Sequence, residues 1–241
     1  MHLLKRLRLY KSINTDRDKL SKRFVPLWES ALKQQVDSYN FATGSIDEQP
    51  VRDAMVKNYV SVGGKFALQT AKQILNIKAH FGPELPNQES IDRIMIALVN
   101  REFAEKIVGI TETTRNEIER LIQIQLDQGN NPRDVARLIR NEMAGINAKR
   151  AITIARTESI GASNAGSDAG AQSLGIPLRK TWQAAFINTR NTHSNASGQV
   201  RSFDSPFTVG GFQMRRPHDS SLGAPAGEVV NCRCVSIKEA I

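Results

Sequence analysis

Apolar residues recur at helical spacing through the first two-thirds of the chain and give way near Gly175 to short runs rich in Gly, Pro and β-formers. Residues 26–40 carry Leu27, Ala31, Leu32 and Val36, and residues 65–80 carry Phe66, Ala67, Ile74 and Leu75. Each set marks one face of an amphipathic helix. Gly82-Pro83-Glu84-Leu85-Pro86 interrupts the pattern, and a further helix is expected over Ser90–Val108. Thr114 to Glu117 has the spacing of a capping box opening a helix over Glu117–Gln128, whose Ile118, Leu121, Ile122 and Gln125 share a face. Gly129 then closes that helix, and Asn131-Pro132-Arg133-Asp134 starts another that runs through Met143. The two form an αα-hairpin.

Ala148–Leu174 reads as the longest helix, and between Gly161 and Ala171 it is almost wholly Gly, Ala and Ser. Gly161, Gly166 and Gly170 each cost about 1 kcal/mol against alanine in a helix interior. That cost is offset only if another backbone approaches closely. Packing within the chain is the favoured partner, and a subunit contact is the alternative.

From 176 onward the pattern predicts strands at Leu178–Phe186 and Gln199–Phe203, then a hairpin over Phe207–Met214 whose Gly210-Gly211 supplies the turn. A last strand is expected over Val229–Ile237. Alternation would place Cys232 and Cys234 on one face, with Arg233, Val235 and Ile237 on the other. Such a small module needs docking on the helices or a metal staple. The whole is an α+β chain: a basic N-terminal arm 1–24, a helical region 25–110, and a unit 111–241 made of helices (111–175) and a β-rich module (176–241) docked on the long helix.

The 241 residues, 40% apolar and 24% charged, exclude disorder along the whole length. The longest apolar run, Ile94–Val99, is far below the ~20 residues a bilayer span requires, so no membrane role is expected. Two cysteines exclude a disulfide framework and suggest a reducing cytoplasm. Charge is uneven. Residues 1–24 hold net +6 of the chain's +9, with Lys5, Arg6, Arg8 and Lys11 foremost, which favours DNA or another anionic partner; a solvated extension is the alternative.

Phosphate-binding loops, the serine-hydrolase elbow and the His-Glu-x-x-His helix are all missing, so an enzyme is not expected. What chemistry remains lies near the C-terminus. His193, His218, Cys232 and Cys234 offer the ligand atoms of a tetrahedral zinc site, against the alternative of buried thiols and hydrogen-bonded imidazoles. A metal-dependent nuclease using His193 and His218 is a weaker alternative. Arg156 and Glu158 are opposite in charge but cannot share a helix face, and a Glu158–Arg233 bridge between helix and sheet is one outcome.

The ordered set Arg156-Thr157-Glu158, the small-residue stretch with Asn164, Lys180-Thr181-Trp182, Arg190-x-x-His193, Gly198-Gln199, Phe207, Pro217 and Asn231-Cys232-Arg233-Cys234 resembles the phage Mu F-like minor head protein family. The resemblance covers about 110–241. It implies a virion component of a tailed phage or prophage, made in the bacterial host cytoplasm and acting in head morphogenesis beside portal, capsid or scaffold proteins and packaged DNA. It brings no catalytic residues.

Overall fold

The computed structural model describes residues 3–78, 84–185 and 188–241. Helix α1 (Leu3–Ser38) is followed by α2 (Gln49–Asn58), which passes through a π turn at Tyr59–Gly63 directly into α3 (Gly64–Lys78). Then come α4 (Gln88–Glu102), α5 (Ala104–Asp127) and the 41-residue α6 (Pro132–Gln172). The β-rich part holds β1 (Leu178–Gln183), α7 (Asn191–Ala196), β2 (Val200–Ser202), β3 (Phe207–Val209), β4 (Phe212–Met214), α8 (Ala226–Val229) and β5 (Val235–Ala240). Strand β1 is central in an antiparallel sheet of order β2-β1-β5, and β3-β4 is the Gly-Gly hairpin. The α+β reading therefore holds.

Several expected boundaries move, each for a physical reason. Residues 1–24 are no free arm; from Leu3 they are the first turns of α1. Tyr10 packs on Val235 and Ile237 of β5, and Phe24 and Trp28 enter the main helical core with Met55, Tyr59, Phe66 and Met95. The helix expected over Ser90–Val108 breaks at Phe103, whose ring turns inward to lie 4.6 Å from that of Tyr59. Thr114 caps nothing. It lies mid-helix, donating to Gln35 Oε1 while Gln35 Nε2 donates to Thr111, a buried polar link between α1 and α5. The helices 132–143 and 148–174 are one, because Gly145 is exposed and finds no reason to bend. Gly82, Pro83, Phe186 and the last two residues of the 65–80 helix lie outside the described residues.

The helix hairpin forms as expected, with Gly129 at φ +75°. Gly129 N–H donates to Leu126 O and Asn130 N–H to Gln125 O, the paired bonds of a Schellman closure. Ile118, Leu121, Ile139 and Met143 bury the hairpin against Val36 of α1.

The small-residue stretch of α6 serves packing within the chain. A Cβ added at Gly166 would stand 2.0 Å from the carbonyl oxygen of Gly63, and one at Gly170 2.0 Å from that of Ala67. Here α6 touches the backbone of the π turn and α3. One face of α6 thus meets α3 while its neighbours Asn164, Ser167 and Asp168 reach β5, so this helix joins the two parts of the molecule. Lys238 donates to Ser167 Oγ at 2.9 Å and pairs with Asp168 at 2.7 Å; Arg216 pairs with Glu102 at 3.0 Å.

Candidate metal centre

The approach to Cys232 is not a strand. Residues 226–229 form a single helical turn, Asn231 adopts φ +58°, and β5 begins only at Val235. Asn231 N–H donates to Thr157 Oγ1 of α6, which holds the turn down. Cys232 and Cys234 do converge, but through this left-handed turn instead of strand alternation. Arg233 is exposed and lines a cavity with Tyr10 and Ala185, both of which pack with Val235 and Ile237.

The loop after β1 brings the third group. Arg190 precedes α7 and donates to Val230 O at 2.6 Å, which ties this turn to the cysteine segment. His193 follows one turn later, fully buried, with its ring edge-on to Trp182 at 5.6 Å. Trp182 in turn meets Phe207 edge-on at 5.3 Å, and Gly198 N–H donates to Trp182 O, with Gly198 at φ +86° permitting the turn into β2.

His193 Nδ1 lies 3.3 Å from Cys234 Sγ and 3.4 Å from Cys232 Sγ. These three ligand atoms lie within 4.8 Å of one another, and all three residues are buried. Glu228 Oε2 sits 2.8 Å from Nε2 on the far side of the imidazole. The group could hold a metal ion. The Cys234 backbone N–H donates to Cys232 Sγ, and the Ala185 N–H bonds Cys234. Donation from Cys232 and the neighbouring His193 bring the Cys234 thiol down to about 5 against the opposing effect of burial, while burial pushes Cys232 well up. Burial acts to lower His193, but Cys234 and Glu228 outweigh it and raise the imidazole.

His218 is not a member. At φ +70° its Nε2 is turned onto the carbonyl of Cys232, and burial drives its pKa well below the usual range. Among the described residues the gathered ligand atoms are therefore three, not the four expected. The Glu158–Arg233 bridge is also absent. Glu158 instead accepts from Tyr59 Oη at 3.0 Å and pairs with Lys106 at 3.5 Å. Arg156, Thr157 and Glu158 accordingly take three directions: Arg156 lines a cavity shared with His193, Cys232 and Cys234, Thr157 meets the cysteine turn, and Glu158 faces α5.

Two contributors carry no signature in the sequence. Glu228 sits in a one-turn helix that no periodicity announces. Arg17, buried in α1, donates to Cys234 O at 3.1 Å and Asn164 Oδ1 at 2.8 Å, tying the first helix to the cysteine turn. Asn164 itself donates to the same carbonyl and accepts from Ser236 N–H.

This cluster falls within residues 116–237, just over half of the chain, which match the family model described as Phage Mu protein F like protein. The chain belongs to the phage Mu F-like head morphogenesis family. Neither the curated proteins nor the solved structures give a match. The matched segment runs from the middle of α5 into the first half of β5. It includes the metal-ligand group, Arg156, Glu158, Trp182, Arg190 and Gly198, while most of the helical core contributed by α1 to α4 lies before it. Among the described residues, no helix is long and apolar enough to cross a membrane.

Proposed function

We propose that this protein is a minor head component of a tailed phage or prophage that acts in capsid assembly as an adaptor and not as an enzyme. The family match carries this reading. Its support in the structure is that α6 locks a helical body to a small C-terminal module, leaving the outer faces of both for partners. Portal, capsid and scaffold proteins are the expected partners. Co-expression with the portal, capsid and scaffold proteins made with it, followed by affinity capture, should recover a complex with at least one of them; capture of none overturns the adaptor role.

Contact with packaged DNA is a second part of the proposal, and the geometry of α1 favours it. Lys5, Arg8, Lys11, Lys19, Lys22 and Arg23 are all exposed, and their positions fall on one side of the helix, opposite buried Tyr10, Arg17, Phe24 and Trp28. Arg6 is half-buried and turned toward the opposite side. Replacing Lys5, Arg8, Lys19 and Lys22 with glutamine should weaken duplex DNA binding uniformly across sequences. The slope of log affinity against log salt should fall by about 1 for each phosphate no longer neutralised. An unchanged slope removes DNA from the set of partners. Point substitution is the correct probe, since deleting 1–24 would also remove Arg17 from beneath Cys234.

The proposal extends to zinc at His193, Cys232 and Cys234. Zn–S and Zn–N bonds of ~2.3 and ~2.0 Å at tetrahedral angles place sulfur and nitrogen about 3.5 Å apart. The observed 3.3 and 3.4 Å are close to that edge. One imidazole nitrogen has one lone pair or one proton, so a hydrogen bond accounts for one sulfur but not for both. The Glu228 carboxylate behind Nε2 is the outer partner that zinc-bound histidines usually have. Protein purified without chelator should contain about one zinc per chain, lost in Cys234→Ser. Metal-free protein whose melting is indifferent to added zinc would remove the staple.

A further inference from the structure

We infer that the metal centre is open on one side and that its open position binds a phosphoryl group. The inference rests on the zinc reading above. Three protein atoms leave a tetrahedral ion one vertex short: Glu228 is engaged by Nε2 of His193, and His218, although its Nδ1 is buried without a hydrogen-bond partner, is not among the ligand atoms gathered within 4.8 Å of one another. All three ligands line a cavity of about 260 Å³, so the missing vertex faces it.

The cavity's chemistry selects its occupant. Arg156, Arg190 and Arg233 line it, and among the described residues no carboxylate does. Arg190 spends one donor on Val230 O, while Arg156 and Arg233 form no ion pair among the described residues. Zinc with two thiolates is neutral, and Glu228 behind the imidazole adds one negative charge, which leaves the three guanidinium charges in excess around a small volume. A carboxylate carries a single charge and two oxygens. A phosphate monoester dianion carries two charges and three free oxygens, enough to reach a metal and two arginine forks together. Free phosphate and the 5′-phosphate of a DNA end share this chemistry.

Cobalt(II) in place of zinc makes the site visible, because its d–d absorption reports coordination. Full-length cobalt-loaded protein is titrated with inorganic phosphate, with a 5′-phosphorylated oligonucleotide, and with the same oligonucleotide lacking that phosphate. A saturable spectral change with phosphate is expected. Arg156→Gln with Arg233→Gln should weaken it at least about tenfold while cobalt stays bound. A matching change with only the phosphorylated oligonucleotide identifies a DNA end as the source, and a change with phosphate alone identifies the free anion; either supports the open site. Cobalt bound with a spectrum unmoved by every phosphoryl probe overturns the open site and leaves the metal standing. No cobalt uptake overturns the metal reading itself, and the open site with it.

Discussion

Gly166→Ala should lower stability by at least about 3 kcal/mol, at the upper end of what overpacking costs. In a free helix the same change is favourable by about 0.5–1 kcal/mol, so the sign depends on what the new methyl group meets. At position 166 it meets the Gly63 carbonyl oxygen at 2.0 Å, and backbone cannot rotate away as a side chain can. Helix α6 would have to move off the π turn, loosening the packing of Val62, Phe66, Ala162 and Ala165 in the main core. For a chain of this size the expected fall in melting temperature is roughly 6–12 °C. Gly145→Ala is the matched control in the same helix. No atom lies within 4 Å of its added Cβ, so it should raise stability by up to about 1 kcal/mol. Equal melting of Gly166→Ala and the parent protein would show that α6 and the π turn are not in backbone contact.

That control explains which features were legible in the sequence. Gly, Ala and Ser clustered between 161 and 171 are costly in an isolated helix, and close intrachain approach was their expected compensation; the backbone contacts at Gly166 and Gly170 are that compensation. Gly129 likewise announced a helix end because only a positive φ allows the Schellman bonds. The ligand types His193, Cys232 and Cys234 were readable because few side chains bind soft metals. Their true geometry was not, since it depends on Asn231 in a left-handed conformation, which period-2 reasoning cannot anticipate. Helix α1 escaped notice at its basic end because its buried stripe of Tyr10, Arg17, Ser21 and Phe24 is half polar. A buried arginine defeats a hydrophobicity pattern, and here it is the residue that ties α1 to the cysteine turn. Phe103 misled in the opposite sense: its apolar character continues the helical rhythm while its backbone breaks it.

Asp168→Asn is expected to be as damaging as the glycine change, through charge instead of volume. The carboxylate lies 2.7 Å from Lys238, whose side chain has no exposed surface, and 3.8 Å from Arg216; it also helps hold the charge on Lys180, which burial pushes down to about 8. Arg216 keeps Glu102, but among the described residues Lys238 is left with the Ser167 hydroxyl alone. Removing one member of a buried pair typically costs ~3–5 kcal/mol, because the remaining ion is then without either water or partner. Asparagine preserves the shape, so packing does not obscure the result. The pH dependence tests the cause. Burial already lowers the pKa of Lys238, and loss of Asp168 lowers it further, so above the folded pKa and below the ordinary lysine value the unfolded chain binds more protons than the folded one. Stability of Asp168→Asn should therefore recover relative to the parent as pH rises through that window. Adding Lys238→Met should restore most of the loss at neutral pH and abolish the recovery. A double variant no more stable than Asp168→Asn alone would mean that the buried pair is not what clasps β5 to α6.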